Sequence, residues 1–345
     1  MTVAAPNGAT LDSPPRVGTL SGAMRAAALT IFAVYSAAAA CSQGPFSGPD
    51  AYVALDAPAH VGAGSGGGQL DNLVFAVVGD SRPANPDDTA NYPTAVVKQI
   101  FTDVAGDPAQ PRFALTTGDY MDCTTTGDQV DPQLDQYLGA RATFPGVVYP
   151  AMGNHECNSL VQSNCGPNGA DGEPPNYTQF IARLTMDVGE PHAYYTERFA
   201  ATDGSWTAKL LFVAVNAWDD DQAKWFAGAM ANESTTYTFV IRHEPADAYH
   251  APGVPPTTDV LLVNKPTLLI TGHTHTYQHV PSINEIVVGN GGAPLTSSID
   301  YGYVIIARQS DGTLRVTAKD YMTLATIDDF AVDAAGDVVA LPAPP

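Results

Sequence analysis

The sequence predicts an α/β sandwich of mixed sheets, and three observations point there. Short apolar runs of strand length recur and stop at a glycine followed by a polar residue, as where Leu73 to Val78 meets Gly79-Asp80. Early in the chain such runs alternate with stretches of helical spacing, as strands joined by crossover helices do. Late in the chain they follow one another closely, as in hairpins.

Each element has its own justification. Leu73 to Val78 (LVFAVV) is a continuous apolar run, the pattern of a strand buried on both faces. From Pro93 to Val104, the residues Val97, Ile100, Phe101 and Val104 fall at helical spacing and give one apolar face. Phe113 to Thr116 reads as a second strand, stopping at Gly118-Asp119. Gly146 to Met152 reads as a third, stopping at Gly153-Asn154-His155-Glu156. Residues 157–192 are polar, rich in Pro and Gly, and hold two cysteines, so a long loop or insertion is expected. Ala193 to Phe199 and Leu210 to Val215 read as strands, and Asp219 to Ala231 as a helix with Trp225 and Phe226 facing inward. Tyr237 to Ile241 is a strand ending at Arg242-His243-Glu244. Leu268 to Thr271 ends in Gly272-His273-Thr274-His275, and Glu285 to Val288 in Gly289-Asn290-Gly291-Gly292. Tyr303 to Ala307 and Leu314 to Ala318 are strands before an Ala/Asp/Pro tail at 326–345.

The 345 residues suffice for one large domain or two small ones. With 15 Lys+Arg against 36 Asp+Glu the net charge is -21, which repels long polyanions, so no nucleic-acid surface is expected. Clusters such as Asp219-Asp220-Asp221 read as solvated surface. Residues 1–41 read as an export signal. Met24-Arg25 supplies a thin positive region, Ala26 to Ala40 is an apolar run too short to span a bilayer, and translation from Met24 is an alternative start. Small residues before Cys41 resemble a lipoprotein processing site, so the protein is expected in the cell envelope, touching the membrane through a lipid on Cys41. A simple secretory peptide, giving a periplasmic or extracellular protein, is the alternative. Residues 42–70, rich in Gly, Ser and Pro, are expected to be a flexible tether. In an oxidising compartment the remaining Cys123, Cys157 and Cys165 imply one disulfide and one free thiol, with the pairing open.

The chemistry lies at the strand ends. Asp80, Asp119, Asn154, His243, and His273 with His275 each follow an apolar strand. In open α/β sheets the crevice beyond the carboxyl ends of the strands is where ligands bind. Mixed oxygen and imidazole donors suit Fe, Mn, Zn or Co better than Ca or Mg. Six donors exceed the need of one tetrahedral ion, and a shared carboxylate is how two-metal hydrolases hold their pair.

The series Gly79-Asp80, Gly118-Asp119-Tyr120-Met121-Asp122, Gly153-Asn154-His155-Glu156, His243 and Gly272-His273-Thr274-His275 resembles the calcineurin-like metallophosphoesterases over residues 73 to 320. GNHE, Tyr277, Gln222-x-x-Trp225 and the Gly289-Asn290-Gly291-Gly292 turn look closer to the purple acid phosphatase branch. The resemblance implies a four-layer α/β/β/α sandwich of two mixed sheets flanked by helices, with the catalytic domain at 71–325. It implies two divalent or trivalent ions (Fe, Mn or Zn) bridged by Asp119. Asp80 and His275 would hold the first, and Asn154, His243 and His273 the second. His155 would face the substrate and protonate the leaving oxygen, oriented by Glu156 or Asp122. A metal-bound hydroxide would attack a small phosphate monoester or diester, and the enzyme is expected to act as a monomer.

One position departs from the family pattern. The first motif usually continues Asp-x-His, whereas here it reads Asp80-Ser81-Arg82. A guanidinium about 5 Å from a divalent ion costs on the order of 6–7 kcal/mol at an effective dielectric of 20. Arg82 is therefore expected to point outward and clamp a phosphate oxygen, with Asp122 or water completing the metal shell. A weak first site with one working ion and a structural pairing with a carboxylate are the alternatives. The rival function is a binding or scaffold protein whose first metal site has decayed.

Overall fold

The computed structural model describes residues 67–124, 128–166, 171, 174–247, 251–297 and 299–341. The expected export signal, Cys41 and nearly all of the tether lie outside them. Strands β1 (Gly68–Leu70) and β2 (Val74–Val78) open the fold. Helix α1 (Thr94–Gly106) leads to β3 (Phe113–Thr116), and α2 (Val130–Arg141) leads to β4 (Val147–Pro150). The short α3 (Pro175–Phe180) precedes β5 (Tyr195–Ala201) and β6 (Thr207–Val213). Next come α4 (Asp220–Asn232), β7 (Tyr237–Arg242), α5 (Val254–Val263) and β8 (Leu268–Thr271). The chain continues through β9 (Tyr277–Val280), β10 (Glu285–Val288), β11 (Gly302–Arg308) and β12 (Leu314–Asp320). It closes on β13 (Thr326–Val332) and β14 (Val338–Val339).

Among the described residues the strands form two seven-stranded sheets. One runs β1-β5-β6-β7-β8-β10-β9 and the other β14-β13-β12-β11-β2-β3-β4. Strands β2, β3 and β4 pair in parallel, as do β6, β7, β8 and β10, while β11 to β14 form an antiparallel meander. Side chains alternate across each strand, so the two-residue period divides the core into layers. Phe75 and Val77 meet Leu210, Phe212, Phe239, Ile241, Leu268 and Ile270 between the sheets. Val74, Ala76 and Val78 turn the other way, onto Val97, Ile100, Phe101 and Val104 of α1 and Leu134 and Tyr137 of α2. On the far face Leu211, Val213, Val240 and Leu269 meet Trp225 and Phe226 of α4. This is the four-layer sandwich with two mixed sheets. Phe75 stacks on Phe113 and meets Phe239 edge-on, so it spans both sheets. Truncating so buried a ring costs about 3–5 kcal/mol.

Two helices were not expected from the sequence, and three expectations are corrected. Helix α2 escapes a simple apolar periodicity because its buried row, Val130, Gln133, Leu134, Tyr137 and Ala140, includes a glutamine. Gln133 is tolerated there because its amide accepts from the Asp122 N–H and donates to the Asp122 carbonyl. Helix α5 starts at Val254-Pro255-Pro256, and prolines in a first turn, where no N–H partner is missed, start a helix rather than break one. The 157–192 segment is not all loop, since α3 and the turns through Val188 bury Phe180 and Val188. The 326–345 tail contains β13, whose Phe330, Ala331 and Val332 are buried against β12, and the fold begins at Gly68 because β1 pairs with β5. Cys157 and Cys165 form the disulfide, and Cys123 is free and buried.

Candidate metal centre

The tips of β2, β3 and β4 in one sheet and of β7 and β8 in the other bring all six expected donors to one pocket. Asp80, Asp119, His273 and His275 adopt positive φ (56°, 59°, 67° and 46°), a left-handed conformation costing about 1–3 kcal/mol per residue. The surroundings hold these turns in place. Asp80 donates its N–H to the Gly118 carbonyl, Ser81 to that of Asp119, and Ala293 donates back to the Asp80 carbonyl. Gly291, in the Gly-Asn-Gly-Gly turn, donates to Gly79 at 2.6 Å. Gly118 sits at φ +111°, where a Cβ would lie 2.7 Å from the Gly153 nitrogen, so the bridge between the second and third strand tips needs glycine.

Four donor atoms converge on one point. Nε2 of His243 is 3.2 Å from Asp119 Oδ1, 3.1 Å from Asn154 Oδ1 and 3.2 Å from His273 Nδ1. Asn154 Oδ1 is 3.2 Å from His273 Nδ1. Donors about 2.0–2.1 Å from a tetrahedral ion lie about 3.3 Å apart, so this cluster fits a borderline cation. The rears of His243 and Asn154 are committed elsewhere. His243 Nδ1 lies 2.8 Å from the Thr117 carbonyl, which can only accept, so the ring proton is there and Nε2 turns inward. The Asn154 amide donates to the Ser159 carbonyl at 3.1 Å, which leaves its oxygen for the pocket. Thr117 and Ser159 act through their backbone carbonyls, which no side-chain pattern announces.

The other half contains Asp80, Asp119 and His275, whose donor atoms lie within 4.8 Å of one another. His275 Nε2 is 3.6 Å from Asp80 Oδ1, and its Nδ1 lies 2.8 Å from the Pro294 carbonyl. Asp80 also receives the His273 N–H on both oxygens at 3.0 Å. Arg82 does not point outward. Its Nε lies 3.4 Å from Asp119 Oδ2, its Nη1 3.3 Å from Asp122 Oδ2, and its Nη2 3.4 Å from His275 Nε2. A phosphate clamp is therefore not its position in this structure. By donor type and spacing these three residues could hold a metal ion, but a cation in this half would share its ligands with the guanidinium.

His155 lies beside these donors, with Nε2 3.8 Å from Asp119 Oδ2. Its Nδ1 is 3.0 Å from Asp122 Oδ1, in ion-pair range though off the N–H axis, so Asp122 is the carboxylate that faces it. Glu156 is placed differently. Its oxygens accept the backbone N–H groups of Asp119, Tyr120 and Gly153, each at 2.8 Å, and so fix the turn that carries Asp119. Ser159 Oγ reaches Asp122, and the Asn176 amide donates to the His155 carbonyl at 3.0 Å. Other polar and aromatic side chains have partners outside this cluster. His279 stacks on Phe330, Tyr277 bonds Asp328, and His192 stacks on Tyr194. Arg242 is buried against the Val254 carbonyl and Thr257. Gln222 braces Ala214 and Ala217, and Asp219 caps α4.

The protein's own charges oppose one another inside the pocket. Burial alone would raise Asp119, but His243, His155 and Arg82 outweigh it and hold the carboxyl well below the usual range. Burial would lower His243, yet Asp119 and Asp80 hold it well above the usual histidine value. Burial pushes Asp80 up, and burial with His243 pushes His273 down to about 3. Burial, then Arg82, lowers His275. In the protein without a cation the neighbouring charges thus favour the protonated form of His243, and burial favours that of Asp80.

A sequence-family model, calcineurin-like phosphoesterase, matches residues 73–277. Among solved structures the fold is similar to the purple acid phosphatase PPD1 from yellow lupin (Lupinus luteus) seeds, with a TM-score of 0.56 and 14% identity over 82% of this chain. The chain spans 59% of that enzyme's length. It is also similar to PhoD, with a TM-score of 0.53 and 9% identity over 82% of this chain and 74% of the other. The comparison with curated proteins finds no match. Among the described residues no helix is long and apolar enough to cross a membrane.

Proposed function

Since the chain belongs to the calcineurin-like phosphoesterase family, matched over residues 73–277, we propose that it is a metal-dependent hydrolase of small phosphate monoesters or diesters. The observation that carries this is the convergence of Asp119, Asn154 and His273, drawn from both sheets, to within 3.2 Å of one atom, His243 Nε2. A cation held there supplies Lewis acidity, neutralising phosphoryl oxygens and making water a better nucleophile. The dinuclear centre expected from the sequence asks for a second ion beside Asp80 and His275, where the Arg82 guanidinium stands.

The chain's own residues perform the remaining steps. His155 lies beside the pocket carboxylates, with its Nδ1 3.0 Å from Asp122 Oδ1, and in its imidazolium form it is placed to serve as general acid. The imidazolium gives its proton to the departing ester oxygen as the P–O bond breaks, and water supplies the hydroxyl that replaces it. Arg82 adds a fixed positive charge at the side of Asp119 facing away from His243. Glu156 contributes rigidity by holding the Asp119 turn.

Hydrolysis of p-nitrophenyl phosphate and of bis(p-nitrophenyl) phosphate, with Mn, Zn or Fe added to chelator-treated protein, tests this reading. Turnover with one ester is expected. Asp119→Asn should lose bound metal and slow turnover by roughly 10²–10³-fold or more, as expected when charge stabilisation at the reacting group is removed. Intact metal binding with no hydrolysis of either ester would favour the scaffold protein instead.

A further inference from the structure

Arg82 makes three contacts that a metal ion in the Asp80–His275 half would otherwise make. Its nitrogens reach Asp119 Oδ2, Asp122 Oδ2 and His275 Nε2 at 3.4, 3.3 and 3.4 Å. Because the His275 Nδ1–H faces the Pro294 carbonyl at 2.8 Å, His275 Nε2 carries a lone pair and accepts from the guanidinium. Nη1 also donates to the Pro83 carbonyl at 3.0 Å, which anchors the head group from behind. The side chain is only 14% exposed, and Asp119 and Asp122 beside it are almost fully buried. Four of the five guanidinium N–H groups therefore have an acceptor in the protein.

We infer that Arg82 is a built-in cation that fills the first half of the centre, so that this chain takes a single metal ion, between Asp119, Asn154, His243 and His273. The inference rests on the metal-dependent reading above. Two features decide it. Arginine keeps its charge under all ordinary conditions, so it cannot be neutralised to admit an ion. A divalent ion about 4 Å from it would meet roughly 8 kcal/mol of repulsion at an effective dielectric of 20, which cancels the attraction of one carboxylate at that range. Asp119 keeps its bridging position in this arrangement. Its Oδ1 faces the ion cluster and its Oδ2 faces the guanidinium, so one carboxylate joins a metal ion to an organic cation.

The test is stoichiometry, read without any assay of turnover. The full chain is stripped with chelator, then equilibrated by dialysis against MnCl2 and, separately, ZnCl2, and metal per chain is measured by elemental analysis. Wild type is expected to bind one ion. Arg82→His, which replaces the cation with a neutral donor, and Arg82→Ala, which leaves room for water, are expected to bind two. In the Mn-loaded variants, paramagnetic resonance should show the spectrum of a coupled pair in place of the isolated-ion spectrum of wild type. Two ions in wild type would overturn the inference while leaving the metal-dependent reading intact. One ion in wild type and in both variants would overturn the claim that the guanidinium excludes the second. No ion in wild type would overturn the metal-dependent reading itself. Should Arg82→His fail to fold, Arg82→Ala and the wild-type count still decide the matter.

Discussion

The two halves of the pocket draw on the same kinds of donor and end differently. Around His243, two donors are tied from behind, His243 by the Thr117 carbonyl and Asn154 by that of Ser159, and both turn toward His273 and one another. Around Arg82, the donors are oriented just as firmly, His275 by the Pro294 carbonyl, but they meet on a guanidinium. The difference shows that orienting ligands does not by itself make a metal site. What the cluster surrounds decides, and one side chain two residues beyond Asp80 changes what it surrounds.

The division is tested most severely at His155, which touches the Arg82 half through Asp122. If that half serves proton transfer, His155→Ala should slow turnover by about 10²–10⁴-fold with metal content unchanged. The loss should be smaller for p-nitrophenyl phosphate than for an alkyl phosphate, because the better leaving group needs its proton less. Loss of metal along with turnover would place His155 among the ligands and erase the distinction between the halves.

Much of this was legible in the sequence because strand ends announce themselves. The apolar runs stop where the sheet stops, so Asp80, Asp119, Asn154, His243, His273 and His275 stood out as residues sharing one edge. The four-layer architecture came from the resemblance, and the two-residue alternation of the strands agrees with it. What stayed hidden has physical reasons. Arg82 was expected to turn outward because repulsion was weighed against a metal assumed to be present. The three-dimensional contacts show acceptors waiting for the guanidinium. Glu156 and Asp122 were equal candidates to orient His155, because sequence adjacency says nothing about which way a carboxylate turns. Glu156 turns back to three backbone N–H groups and Asp122 turns forward. Helix α2 and strand β13 were missed because Gln133 and the Asp328-Asp329 pair interrupt their apolar patterns while finding partners in the fold.

A smaller effect should separate the halves through the disulfide. Cys157–Cys165 closes a loop that includes Ser159, whose carbonyl holds the Asn154 amide. Replacing both cysteines by serine releases a loop of sequence separation 8, which lowers stability by about 2–3 kcal/mol. The same change should weaken metal binding by about tenfold, the low end for a lost supporting contact. Denaturant melts and a metal titration measure the two together. Lower stability with undiminished affinity would show that Asn154 does not depend on this loop.

The smallest effect is one of pH, and it falls on the His243 half. Without metal, the folded pKa of His243 lies above its unfolded value, so its stabilising contribution is complete below about 6.5 and is lost as pH rises through the folded value. Asp119, held low, contributes above about 3.8 and loses that only in acid. Asp80, held high, binds its proton more tightly when folded, so it too loses stabilisation as pH rises. Metal-free protein should therefore weaken on the alkaline side. A metal ion takes the place of the His243 proton, so the loaded protein escapes that loss. Each proton displaced makes binding about 1.4 kcal/mol more favourable per pH unit. The melting-temperature gap between loaded and stripped protein should accordingly widen by roughly 3–6 °C per pH unit for a domain of this size. Scanning calorimetry between about pH 6 and 8 measures it. A constant gap would mean that His243 is already unprotonated in the empty pocket. Its 3.2 Å contact with Asp119 would then be two lone pairs facing each other, an arrangement that only a cation already in place could hold.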